Sequence, residues 1–168
     1  FRNNGDNTFT DVSTEAGITI EGFGLGVTIG DINDDNWPDI YVSNDFFERD
    51  YLYINNKKGG FNESLPEYFE SISMGSMGAD YADVDNDGQP ELFVTEMLPD
   101  SLSRRKTKTV FENWNKYTLN LESGYHHQVP RNVLQTRVSR SKKFFEVSRM
   151  AGVAGTEWSW GALIFDIN

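Results

Sequence analysis

The sequence predicts an all-β chain: part of a β-propeller of four-stranded blades, about two complete blades and part of a third, carrying a helical insertion. Three observations predict it. "NNGDNTFTDVS" (3–13) returns as "NNKKGGFNESL" (55–65), and "GLGVTIGDINDDNWPDIYVSND" (24–45) returns as "SMGADYADVDNDGQPELFVTEM" (76–97), both at an offset of 52 residues. The phase is kept a third time: Phe9 to Asp31, Phe61 to Asp83 and Phe144 to Asp166 each span 22 positions, with Gly26, Gly78 and Gly161 five positions before the aspartate. Finally, each period holds about four short segments of strand composition, which is the repeat of a propeller blade.

The strands follow in order. "GVTIGD" (26–31), "DIYVSN" (39–44), "YLYINN" (51–56), "ADYAD" (79–83), "ELFVTE" (91–96) and "VLQTRV" (133–138) are β-branched or aromatic and bounded by Gly, Asn, Asp or Pro. "FFEVSRMAGV" (144–153) echoes "FTDVSTEAGI" (9–18), and "SWGALIFDIN" (159–168) echoes the approach to an acidic loop, which starts at Asp166 and is cut at Asn168. Asp83 to Asp166 is 83 positions instead of 52, so an extra segment lies between them. It is "PDSLSRRKTKTVFENWNKYTLNLESGYHHQVP" (99–130), which matches no other copy; Val110, Trp114, Tyr117 and Leu121 are spaced for one helix near 104–122. Two periods and part of a third do not close a ring of about 4–8 blades, so the chain is expected to be a fragment of a longer protein.

Composition supports a folded domain and restricts its partners. The 168 residues are 38% hydrophobic and 14% aromatic with 15 glycines. A formal net charge of −11 argues against nucleic acid, whose phosphates require a basic face. Much of that charge lies in Asp31–Asp39 and Asp83–Glu91, and clustered carboxylates repel unless a cation lies between them. There is no cysteine, so thiolate metal sites and disulfides are not available, and no apolar run approaches the roughly 20 residues that span a bilayer. The chain opens on Phe1, without an initiator methionine, which again reads as a cut.

The acidic loops carry the chemistry. In register, Asp31, Asn33, Asp35 and Asp39 match Asp83, Asp85, Asp87 and Glu91, placing oxygen side chains at positions 1, 3, 5 and 9, with the carbonyls of Trp37 and Gln89 at position 7. Asp166 and Asn168 begin a third copy. Hard oxygen donors without His or Cys suit Ca²⁺ better than Mg²⁺, which retains its water. An EF-hand is excluded, since position 12 is Val42 or Val94 within a predicted strand, where an EF-hand needs a bidentate glutamate between helices. The alternative is a plain Asp/Asn/Gly turn, but turn chemistry asks for no third and fourth carboxylate.

"GDINDDNWPDIYVSND", "ADVDNDGQPELFVTEM" and the truncated "FDIN" resemble FG-GAP or VCBS repeats, the calcium-clipped blades of integrin-alpha-type propellers. With "FGLGV", "YVSNDFFERDYLYINN" and "MGSMGADYADVDNDG", the chain is most similar to bacterial VCBS proteins that often end in an ASPIC/UnbV domain, related to cartilage acidic proteins. The resemblance covers nearly all of the chain outside 99–130. It implies a seven-bladed propeller, Ca²⁺ in loops on one side, and a secreted, cell-surface or outer-membrane-associated parent with a signal peptide. It gives ligand roles to Asp31, Asn33, Asp35, Asp39, Asp83, Asp85, Asp87 and Glu91. Asn36 stands where the family has glycine, and "VSRSKKFF" replaces the usual Asn-Asn-Gly hairpin.

The expected function is a non-catalytic, calcium-stabilised module for adhesion or for binding a protein or glycan ligand. The alternative is part of a polysaccharide-active or other secreted enzyme. Only His126 and His127 offer an imidazole, and no G-x-S-x-G, Walker or HExxH motif is present. "RRKTK" (104–108) either meets an acidic partner or neighbouring blade, or is a solvated helix face. Trp158 and Trp160 are expected to pack between blades, while Trp37 at a loop tip is more open to ligands.

Overall fold

A computed structural model describes residues 1–45, 48–109, 113–139 and 141–166. Arg2–Asn3 (β1) and Phe9–Thr10 (β2) form an antiparallel hairpin. Gly24–Gly30 (β3), Asp39–Asn44 (β4), Tyr51–Asn55 (β5) and Phe61–Glu63 (β6) form an antiparallel meander in chain order, the first blade. A short helix, Leu65–Tyr68 (α1), and Ile72–Ser73 (β7) lead to the second blade. That blade is Ala79–Ala82 (β8) and Glu91–Val94 (β9), then, after helices Leu102–Lys108 (α2) and Trp114–Glu122 (α3) and strand Gln128–Val129 (β10), Val133–Arg137 (β11) and Phe144–Glu146 (β12). Its strand order β8-β9-β11-β12 repeats the meander, so the insertion leaves and rejoins the blade without altering its topology.

All six predicted strands form, and the alternation in β4 explains why. Asp39, Tyr41 and Ser43 are buried while Ile40 and Val42 are half-buried, the period-two pattern of a strand with unequal faces. The core lies between the blades. Tyr41 and Leu52 from the first meet Leu92, Val94, Val133 and Phe144 from the second, with Leu65 and Phe69 of the connection wedged among them. Phe69 packs edge-on against Tyr41 (centroids 5.8 Å, 80°) and against Phe144 (4.9 Å).

The glycines at the repeated phase have a steric reason. A Cβ on Gly26 would lie 3.0 Å from the Gly78 Cα, and one on Gly78 would lie 3.0 Å from the Trp160 carbonyl oxygen and 3.1 Å from the Gly161 Cα. β3, the residue that leads into β8 and the segment at Trp160–Gly161 therefore approach one another backbone to backbone, which a side chain prevents.

Sequence repeat and blade are out of phase. The hairpins β5–β6 and β11–β12 are the outer strands of their blades, and β1–β2 is their counterpart at the first repeat. The turns after β2 and β12 match: Ala16 N–H donates to the Val12 carbonyl as Ala151 does to Val147, and Gly17 and Gly152 share φ of 76°. The second repeat thus gives an outer hairpin, β5–β6, to the first blade and an inner pair, β8–β9, to the second. The segment 159–166 carries no strand but lies along the second blade, where Ile164 N–H donates to Asp80 Oδ2 at 2.6 Å.

The insertion departs from the single helix predicted over 104–122. Two helices form, because Ser101 and Asn113 each act as an N-cap: Ser101 Oγ accepts from Arg104 N, and Asn113 Oδ1 accepts from Lys116 N at 2.8 Å. Thr109, at the end of α2, is extended. Val110 lies outside the described residues. The insertion returns through β10, which pairs in parallel with β7, and Asn132 fastens its base by accepting from Glu96 N (2.7 Å) and donating to the Val153 carbonyl (2.9 Å).

Candidate metal centre

Each candidate loop joins the inner two strands of a blade at the same end. The turn needs left-handed backbone at positions 4 and 6, supplied by Asp34 (φ 60°) and Asn36 (66°) in one loop and Asn86 (60°) and Gly88 (82°) in the other. Asn36 thus adopts the conformation that glycine serves elsewhere, as a residue tolerant of that region can.

The two loops share one hydrogen-bond scheme. Asp31 accepts from Asp35 N (2.8 Å) and Asn36 N (2.7 Å), as Asp83 accepts from Asp87 N (3.2 Å) and Gly88 N (2.9 Å). Asn33 and Asp85 each accept from position 5, and Asp35 and Asp87 each accept from the position 7 amide of Trp37 or Gln89. Asp39 and Glu91, at position 9, take the amides of Ile32 (3.0 Å) and Val84 (2.9 Å). Turn amides thus aim the side chains inward, and carboxylate lone pairs remain for a cation.

In the second loop the convergence is tight: one oxygen each from Asp83, Asp85 and Glu91 lies within 4.8 Å of the others. This donor set fits Ca²⁺, which takes carboxylate oxygens at 2.3–2.6 Å in flexible geometry. The position 9 acids are buried, and that burial pushes both above their ordinary range; the nearby charges of Asp35 on Asp39, and of Asp85 and Asp87 on Glu91, push the same way. A cation at the loop relieves both causes.

The first loop differs in ways the sequence reading missed. Lys57 Nζ, from the β5–β6 turn, lies 3.1 Å from Asp35 Oδ2. Arg137 reaches across from the second blade, donating to the Ile32 carbonyl (2.9 Å) and pairing with Asp34 (3.1 Å), its guanidinium 4.9 Å from the centre of the Phe144 ring. The only signal for Lys57 was its place in "NNKKGG"; Arg137, 105 positions from Ile32, had none. Of the third loop, Asp166 closes the described chain and Asn168 lies outside the described residues.

The other singled-out residues fall away from these loops. His126 Nε2 bonds the Phe69 carbonyl (2.8 Å), fastening the insertion, and His127 Nδ1 bonds the Tyr117 hydroxyl (2.6 Å), bracing it internally; burial lowers the pKa of His126. Arg104 pairs with Glu157 (2.8 Å) and Arg105 Nε donates to the Pro99 carbonyl (2.6 Å), so the basic run contacts its own chain. Trp158 and Trp160 are not packed between blades among the described residues: they are 64% and 66% exposed and stacked on each other, whereas Met77, at the same phase of the repeat as Trp160, is buried. Trp37 is 45% exposed at its loop tip, as expected.

No curated protein sequence matches the chain. Residues 31–94, which begin at the first acidic loop, include the second and end with β9, are similar to the FG-GAP-like repeat.

Proposed function

We propose that the chain is a non-catalytic, calcium-binding propeller module of a secreted or cell-surface protein, used for adhesion or for binding a protein or glycan ligand. The observation that carries this reading is the convergence of Asp83, Asp85 and Glu91 in a loop whose hydrogen-bond scheme recurs at Asp31–Asp39. The ion clips the inner hairpin of each blade. Asp39 and Glu91 extend the clip to the third strand, since Asp39 also accepts from Asn55 N (2.8 Å) and Glu91 from Thr136 Oγ1 (3.1 Å). The non-catalytic reading is supported by the engagement of both imidazoles, one fastening the insertion and one bracing it internally.

Calcium added to chelator-treated protein tests it. An ion that binds only the folded chain at about 100 times its Kd stabilises by about 2.7 kcal/mol, or roughly 5–11 °C for a chain of this size. An unchanged melting temperature at millimolar Ca²⁺ refutes the assignment.

A further inference from the structure

A cleft of about 490 Å³ opens within the insertion, between α3, the β10 return and Met74 just after β7. Its size is that of a small-ligand site. Helix α3 buries none of its side chains, yet it brings two aromatic rings to the cleft: Trp114, 76% exposed, and Tyr117, their centroids 5.5 Å apart. Asn120 follows on the same side of the helix, and Gln128 faces it from β10. The chain carries a net charge of −11, but no described residue lining this cleft is an aspartate, glutamate, lysine or arginine. Hydrogen-bonding capacity is nevertheless left over. Gln128 is 9% exposed and donates Nε2 to the Glu48 carbonyl (3.0 Å), which leaves its amide oxygen as an acceptor. The Asn120 side-chain amide has no partner among the described residues. His126 Nε2 meets the Phe69 carbonyl, which can only accept, so the proton sits on Nε2 and Nδ1 keeps a lone pair.

We propose that this cleft binds an uncharged saccharide, a sugar ring set against Trp114 and Tyr117 and its hydroxyls bonded to the amides of Asn120 and Gln128. A sugar ring has an apolar C–H face and a rim of hydroxyls that both donate and accept, and this cleft joins aromatic rings to groups of both kinds. A carboxylate, phosphate or ammonium ligand finds no counter-charge here and pays far more than a hydroxyl for losing its water. A purely apolar segment would leave the Asn120 and Gln128 amides covered and unpaired. The proposal rests on the binding-module reading and narrows its ligand class; it does not depend on calcium, since no residue of the acidic loops lines the cleft.

Calorimetric titration of the full chain with uncharged hexasaccharides of glucose, xylose, mannose and N-acetylglucosamine, beside the anionic hexagalacturonate, tests it. Saturable binding of at least one uncharged hexasaccharide is expected, with hexagalacturonate the weaker ligand. Trp114→Ala weakens that binding about tenfold or more, and Asn120→Ala about three- to tenfold. Neither side chain is buried, so both variants keep the wild-type melting temperature and the loss is read on folded protein. No saturable binding of any uncharged hexasaccharide, equal or tighter binding of hexagalacturonate, or an affinity unchanged by Trp114→Ala overturns the proposal. Trp114-dependent binding of an uncharged leucine-rich peptide in place of the saccharides assigns the cleft to a protein ligand and overturns it as well. Calcium-dependent melting on the same samples separates the readings: an intact calcium shift without saccharide binding removes only the cleft.

Discussion

Replacing Phe144 by alanine removes a ring that is fully buried, packed on Phe69 at 4.9 Å and covered by the Arg137 guanidinium at 4.9 Å. Truncating a buried phenylalanine costs about 3–5 kcal/mol, and the aromatic and cation–π partners put this site at the upper half of that range. At roughly 2–4 °C per kcal/mol for a chain of this size, the melting temperature falls by about 8–20 °C. Phe9 occupies the same phase of the repeat but is 63% exposed, so Phe9→Ala changes stability by no more than about 0.5 kcal/mol. Phe144→Leu, which keeps most of the volume, gives a milder loss of about 1–1.5 kcal/mol and guards against outright unfolding. Urea unfolding of the three variants is the assay. Equal losses at Phe9 and Phe144 contradict the placement of the core between the two blades.

Three other outcomes follow from the same geometry. Gly78→Ala lowers stability by about 1–3 kcal/mol, since the added methyl meets backbone at 3.0–3.1 Å, whereas Gly161→Ala, with open space, is near neutral; urea midpoints decide. Asp50 is fully buried, accepting from Tyr41 Oη, Ser76 Oγ and Asn44 N, and burial raises its pKa from 3.8 to about 7. A raised carboxyl holds its proton more tightly when folded, so its contribution to stability falls as pH rises from about 4 to about 7 and then levels. The stability difference between wild type and Asp50→Asn therefore drops across that window, and a flat difference refutes the assignment. Arg137→Lys, which loses the planar fork between Ile32, Asp34 and the Phe144 face, costs about 1–3 kcal/mol by thermal melting; a neutral result shows that the cross-blade clasp contributes little.

What was legible in the sequence was local or periodic. The strands announced themselves by β-branched or aromatic composition and by flanking turn residues, and the acidic loops by donors at positions 1, 3, 5 and 9 in two copies. The fixed glycines were visible as a pattern, although their reason, close backbone approach between successive repeats, needed the fold. The division of the insertion into two helices was written in Asn113, a strong N-cap, but helical spacing on both sides of it masked the break. Lys57 and Arg137 at the first loop, and the meeting of Met74, Trp114 and Gln128 at the insertion, join residues from different elements, and no spacing rule links them. The exposure of Trp158 and Trp160 was lost for a related reason: repeat phase gives the position along a strand, not whether a neighbour covers it.

The central claim is that the repeated acidic loops hold calcium, and the most direct measurement is a calorimetric Ca²⁺ titration of chelator-treated chain beside Asp83→Asn/Asp85→Asn and Asp31→Asn/Asp35→Asn variants. The account predicts saturable binding to the wild type, the loss of one equivalent in each double variant, and weaker binding at the first loop, where Lys57 already occupies Asp35. No heat of binding, or an unchanged number of equivalents in both variants, contradicts it.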